Sequence, residues 1–209
     1  MSECRLERLP LSELPPLETL TDVDRLFLNR TPITDLSPLR DLRQLRVLGL
    51  KLTRVTDLSP LAGLTALESL VLSFTPVVDV APLARLHGLR SLYLTGCGVA
   101  DIGPLAGLTG LERLDLGGTD VACLRPLAGL RNLISVQLSS TPVTDLSPLA
   151  GLAALRVLEV GDTKVTDLSP LNGLTALRRL DARGTPATAM PDLPACEIVS
   201  AATYRRRRR

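Results

Sequence analysis

The residues in this chain that could carry chemistry are few and scattered. Its 209 residues include one histidine, His87, and four cysteines, Cys4, Cys97, Cys123 and Cys196, with no CxxC pair among them. A zinc site gathers about four nitrogen or sulfur ligands, and a nucleophile needs a base within hydrogen-bond reach. One histidine and four separated thiols supply neither at any recognised spacing. The expectation is no catalytic residue, no cofactor and no metal. The cysteines stand at repeat positions otherwise held by leucine, threonine or aspartate, and read as free thiols, because buried reduced cysteine packs as a small hydrophobe. Aspartates recur at Asp35, Asp57, Asp79, Asp101, Asp145 and Asp167. Calcium takes about six to eight oxygens and no acidic cluster accompanies these residues, so they read as turn caps.

The aspartates recur because the chain does. A 22-residue unit is written eight times from Leu14 to Ala189, so that Leu36, Leu58, Leu146 and Leu168 are equivalent. Pro16, Pro38, Pro60, Pro82, Pro104, Pro126, Pro148 and Pro170 hold the third place of every copy. Leu36, Leu39, Leu42, Leu45 and Leu48 are three apart, which matches a 3₁₀-like segment. Ser-Pro pairs such as Ser37-Pro38 and Ser147-Pro148 predict a serine cap before a proline at the first helical position. The spacing then falls to two: Leu48 and Leu50 point inward while Val47, Gly49 and Lys51 point outward, the pattern of a short strand. One repeat cannot bury enough apolar surface to order itself, so the units must stack and share their leucine layers.

The predicted fold is a right-handed α/β solenoid with one curved parallel sheet. Residues 1–13 form a partial opening coil, with Cys4 and Leu6 one period before Leu26 and Leu28. The eight repeats occupy 14–189. Residues 190–204 form a degenerate closing coil in which Met190, Leu193, Cys196, Val199 and Ala202 continue the register, and 205–209 are a basic tail.

The pattern LxxLxLxxTxVxDLxPLxxL resembles the 22-residue class of leucine-rich repeat found in internalins and in the leucine-rich regulatory subunit of protein phosphatase 1. The resemblance covers nearly the whole chain. It implies an arc with a concave parallel sheet, a 3₁₀ or irregular convex side, and a role in binding another protein through the sheet. The family's usual buried asparagine is replaced by Thr31, Thr53, Thr75, Cys97, Thr119, Thr141, Thr163 and Thr185. A hydroxyl satisfies fewer backbone groups than an amide.

With 45% hydrophobic residues the chain can bury a long core, and no stretch reads as a second domain or linker. MSECRLERLP has no apolar run after its charges, and no window approaches the ~18 apolar residues of a membrane span. The expected location is the cytoplasm, with no membrane contact and a monomeric chain. The tail Arg205 to Arg209 belongs to a total of 24 Lys and Arg against 22 Asp and Glu. Without those five arginines, 19 basic residues face 22 acidic ones, and the net charge turns from +2 to −3. Such a run holds anionic surfaces through salt-sensitive contacts, and nucleic acid would be bound only non-specifically.

Specificity must lie in columns that stacking leaves free. The residue between the inward strand leucines runs Phe27, Gly49, Val71, Tyr93, Asp115, Gln137, Glu159, Asp181, apolar or aromatic at first and acidic or polar later. Phe27, Phe74 and Tyr93 fall on or beside the sheet, and exposed aromatics near arginine are the usual anchors of an interface. Phe27, Val71, Phe74 and Tyr93, with Arg25 and Lys51, are the expected contact patch. Asp115, Glu159 and Asp181 either receive a basic partner segment or pair with neighbouring arginines. The implied function is a non-enzymatic adaptor. The alternatives are a regulatory or inhibitory subunit of an enzyme and a nucleic-acid-associated protein acting through the tail.

Overall fold

A computed structural model describes residues 3–5, 23–188 and 190–200. Ten strands of three residues each form one sheet in strict chain order: β1 (Glu3–Arg5), β2 (Arg25–Phe27), β3 (Val47–Gly49), β4 (Ser69–Val71), β5 (Ser91–Tyr93), β6 (Arg113–Asp115), β7 (Ser135–Gln137), β8 (Val157–Glu159), β9 (Arg179–Asp181) and β10 (Glu197–Val199). Every pair is parallel. Leu26 stands beside Leu48, Leu48 beside Leu70 and Leu70 beside Leu92, one period apart. Cys4 stands beside Leu26, as counting back one period predicts. The result is a leucine-rich-repeat arc with its sheet on the concave side.

The far end departs from the count. Ile198 pairs with Leu180, so the last coil closes in eighteen residues rather than 22. Met190, expected in the core, is 43% exposed, while Leu193 is 8% exposed. The physical reason is local: this coil has Asp192 where its predecessors have the proline of their 3₁₀ turn, and a shorter path brings an isoleucine to the layer. Leu6, Leu14, Pro16, Ala189, Ala202 and the tail Arg205 to Arg209 lie outside the described residues.

The turns opposite the sheet are 3₁₀ segments with proline at their second residue, such as Ser37–Leu39, Ser59–Leu61 and Ser169–Leu171. The serine does not cap them. The capping place belongs to Leu36, Leu58, Leu146 and Leu168, whose side chains make no cap bond. The cap comes from the aspartate one residue earlier. Asp35 Oδ1 accepts the Ser37 N–H at 2.8 Å, and Asp57, Asp79, Asp101, Asp145 and Asp167 repeat the bond at 2.7–2.8 Å. Proline has no N–H to offer, so the free donor of the turn is the residue before it, and a carboxylate two residues back reaches that donor. The hydroxyls of Ser59, Ser147 and Ser169 donate to the second oxygen of the same aspartates.

One apolar cluster runs from Val23 to Leu193, and most of its leucines have no accessible surface. The threonine column lies inside it. Thr31, Thr53, Thr75, Thr119, Thr141 and Thr163 each donate to the carbonyl three residues earlier at 2.6–2.8 Å. Cys97, in the same column, is 2% exposed and its thiol reaches Leu72 O of the preceding coil at 3.1 Å.

One column after the sheet is left-handed throughout: Arg30, Leu52, Phe74, Gly96, Gly118, Ser140, Asp162 and Gly184 have φ between 55° and 71°. The turn carries each amide to the next coil, as in Leu52 N–H to Ser73 O at 3.0 Å and Phe74 N–H to Thr95 O at 2.7 Å. This conformation costs a residue with a Cβ about 1–2 kcal/mol, and three of the eight positions avoid that cost with glycine.

Candidate functional site

The strands present two outward columns, at their first and third residues, with neighbours about 4.8 Å apart across the sheet. In the first four full coils the third column holds Phe27, Gly49, Val71 and Tyr93 in consecutive register. Phe27, Val71 and Tyr93 are half-buried rather than sealed. The Arg25 guanidinium lies 6.0 Å from the centre of the Phe27 ring, within cation–π range. That ring leans over Gly49, where an added Cβ would stand 2.9 Å from Phe27 Cδ1, so glycine makes room for it. Beyond the strands, Phe74 is 50% exposed, with Lys51 Nζ 5.7 Å from its ring centre. The structure thus brings Arg25 and Phe27 together, and Lys51 and Phe74 together.

The later coils use their polar side chains differently. Asp115 Oδ1 accepts the Gly117 N–H at 3.0 Å, and Gln137 Oε1 accepts the Ser139 N–H at 2.5 Å. Asp181 accepts the Arg183 N–H at 3.1 Å and its guanidinium at 2.6–3.0 Å. Asp181, counted in the sequence among the partner-facing acids, is 4% exposed and already neutralised. Burial alone would raise its pKa, but the bonds from Arg183 outweigh this and hold the carboxyl below the usual range. Glu159 and Asp162 line a shallow polar hollow of about 400 Å³ with Gln137, Ser139 and Arg183.

A further column, just before the strands, reads Asp24, Arg46, Glu68, Arg90, Glu112 and alternates in sign. Arg46 pairs with Glu68 at 2.6 Å and Arg90 with Glu112 at 2.9 Å. Sequence reasoning passed over this ladder, though alternating charge at a 22-residue step was visible. The left-handed column also went unnoticed, although Gly96, Gly118 and Gly184 signal it.

His87 is exposed, with Nδ1 3.3 Å from Gly107 O. Among the described residues no group of three or more His, Cys, Asp or Glu is placed to hold a metal ion, and Cys4, Cys97, Cys123 and Cys196 are free thiols. No helix among them is long and apolar enough to cross a membrane.

No family model and no curated protein matches the chain. Solved structures do. Internalin C2 from Listeria monocytogenes is 37% identical over 77% of this chain and 71% of its own, with a TM-score of 0.76. A second internalin of that species is 29% identical over 95% of this chain and 66% of its own, at 0.82. A leucine-rich-repeat protein from Leptospira interrogans is 25% identical over 88% of this chain and 50% of its own, at 0.81. The chain therefore spans two thirds or less of the last two. With the repeat pattern, the sheet and these likenesses in hand, the chain belongs to the leucine-rich-repeat family.

Proposed function

We propose that this chain is a non-enzymatic scaffold that holds a partner protein against its concave sheet. The observation that carries the reading is the run of half-buried Phe27, Val71 and Tyr93 on consecutive register positions of an uninterrupted sheet. Stacking requires none of these three, because the leucines at the adjacent inward positions supply the core. Arg25 and Lys51 flank the run and hold Phe27 and Phe74 by cation–π contact. A rigid sheet loses little conformational freedom on association, which favours affinity. Asp115 and Glu159 form a weaker second contact for basic groups, and Asp181 serves it by fixing Arg183. The free thiols, with Cys97 in the core, support a reducing compartment such as the cytoplasm.

The test is affinity capture with quantitative mass spectrometry, comparing wild type with the Phe27→Ala, Tyr93→Ala double variant. A protein retained by wild type and lost by the variant, with the circular dichroism spectrum unchanged, supports the reading. Equal retention on both sinks it.

A further inference from the structure

Leu52 and Phe74 have no conformational reason to be where they are. Their φ angles are 59° and 60°, in a region where bulky side chains are genuine outliers. The same turn is made by glycine at Gly96, Gly118 and Gly184. Such outliers are usually tolerated for burial or for function, and burial does not explain these two. Leu52 is 43% exposed and Phe74 50%. They sit in one column, one coil apart, so the sheet spacing sets their backbones roughly 5 Å from one another. The Phe74 ring covers Gly96, and Val78, 61% exposed, leans on Gly98 of the same turn. Three exposed apolar side chains are therefore clustered on one rim.

The charged groups nearest Leu52 and Phe74 are cations, while the carboxylate Asp79 follows Val78. Arg30 precedes Leu52 in the column, Lys51 reaches over Phe74, and Arg54 is exposed two residues beyond Leu52. Among the described residues, none of these three cations has an ion-pair partner. The aspartates of these coils, Asp35, Asp57 and Asp79, are committed to their turns.

We infer that this rim docks a short segment of a partner protein in which bulky apolar side chains are flanked by carboxylates. The cations select the charge and the apolar trio supplies the anchor sites. This rests on the reading that the chain binds a protein, and extends the contact from the sheet to the rim through Lys51, which lies between them.

The position suggests a test in which folding does not confound binding. Replacing both residues by glycine (L52G, F74G) gives these coils the turn residue that later coils already use. Any loss of packing is offset by relief of the left-handed backbone, so the thermal midpoint should hold. A Leu52→Asn, Phe74→Asn pair, also tolerant of this conformation, is the second variant. The probes are fluorescent peptides with two phenylalanines or leucines between glutamates, the same peptides with lysine for glutamate, and the same with serine for the apolar residues.

In fluorescence anisotropy the acidic apolar peptide should bind wild type at least about tenfold more tightly than either control, and both variants should lose about tenfold or more. Equal binding of the lysine or serine peptides, no binding of any peptide, or retention by both variants would overturn the inference. So would a fall in thermal midpoint for both variants, which would make the two side chains structural. A concentration-dependent dimer abolished by the variants would assign the rim to a second copy instead. Uptake onto phosphatidylserine vesicles, lost in the variants, would assign it to a lipid surface. The Phe27→Ala, Tyr93→Ala variant separates the two readings: partner capture lost there but kept in the rim variants leaves the concave face standing and removes the rim.

Discussion

From β2 to β5 the third strand column is Phe27, Gly49, Val71 and Tyr93; from β6 to β9 it is Asp115, Gln137, Glu159 and Asp181. The second set has more hydrogen-bonding capacity, yet three of its four members spend that capacity on the chain's own N–H two residues ahead. The first set has no carboxylate or amide to turn back in this way, and three of its members remain at the surface. A polar side chain on an open sheet is thus not automatically a side chain available to a partner. Counting charges by sequence overstates the binding groups of the later coils.

The comparison breaks most visibly if the two halves differ in their cores. Leu92→Ala and Leu158→Ala should each lower unfolding free energy by about 2–5 kcal/mol, measured by denaturant titration. A gap between them wider than that range would move the difference from surface to interior. Next in size, Phe27→Ala with Tyr93→Ala should weaken partner binding by about tenfold or more. Asp115→Asn with Glu159→Gln should weaken it only by about two- to fivefold, as exposed charges do. The reverse order would invert the assignment of the halves.

Removing the Asp181 carboxylate should lower stability only modestly, because the Arg183 guanidinium it releases is exposed and is taken up by water. Folding lowers this pKa, so protonation favours the unfolded chain. The stability it contributes is present above the usual carboxylate range and is lost as pH falls through the depressed value. Acid unfolding of Asp181→Asn should show less of this dependence than wild type; an identical acid limb would remove the ion pair from the account. Smallest is the turn cap. Asp145→Ala should lower the thermal midpoint slightly and Asp145→Asn less, because an amide oxygen still accepts the Ser147 N–H. Equal effects would mean that charge, not the turn bond, matters there.

Most of the fold was legible because a strict period ties each strand to the next. Once Leu26, Leu48 and Leu70 are aligned, pairing and direction follow, and even Cys4 falls into place. The closing coil breaks the rule: without the proline turn nothing enforces 22 residues, and Ile198 takes the place expected of a later residue. Ser-Pro, the familiar helix start, points to a serine cap. In a turn of three residues the serine is already inside, and the donor it leaves free belongs to aspartate. At the site, no aromatic occupies a leucine position, and the structure leaves Phe27 and Tyr93 half-buried and Phe74 exposed. Asp181 pairs with a neighbouring arginine, one of the two alternatives its sequence leaves open, but its burial is not legible because the spacing says nothing of a guanidinium folding back over it. Sequence reveals neither the left-handed φ of Leu52 nor the rim it shares with Val78.

Cys97 gives the molecule a clock. Its sulfur is shut in where the fourth full coil meets the third, whereas Cys123 is open to solvent and Cys4 and Cys196 stand half-covered near the two tips. A maleimide added to the native protein should label Cys123 at once and the tip thiols as the ends fray. Cys97 should react only when the middle of the array parts. The order in which the four are alkylated therefore reads out whether the solenoid unzips from its ends or snaps across its waist.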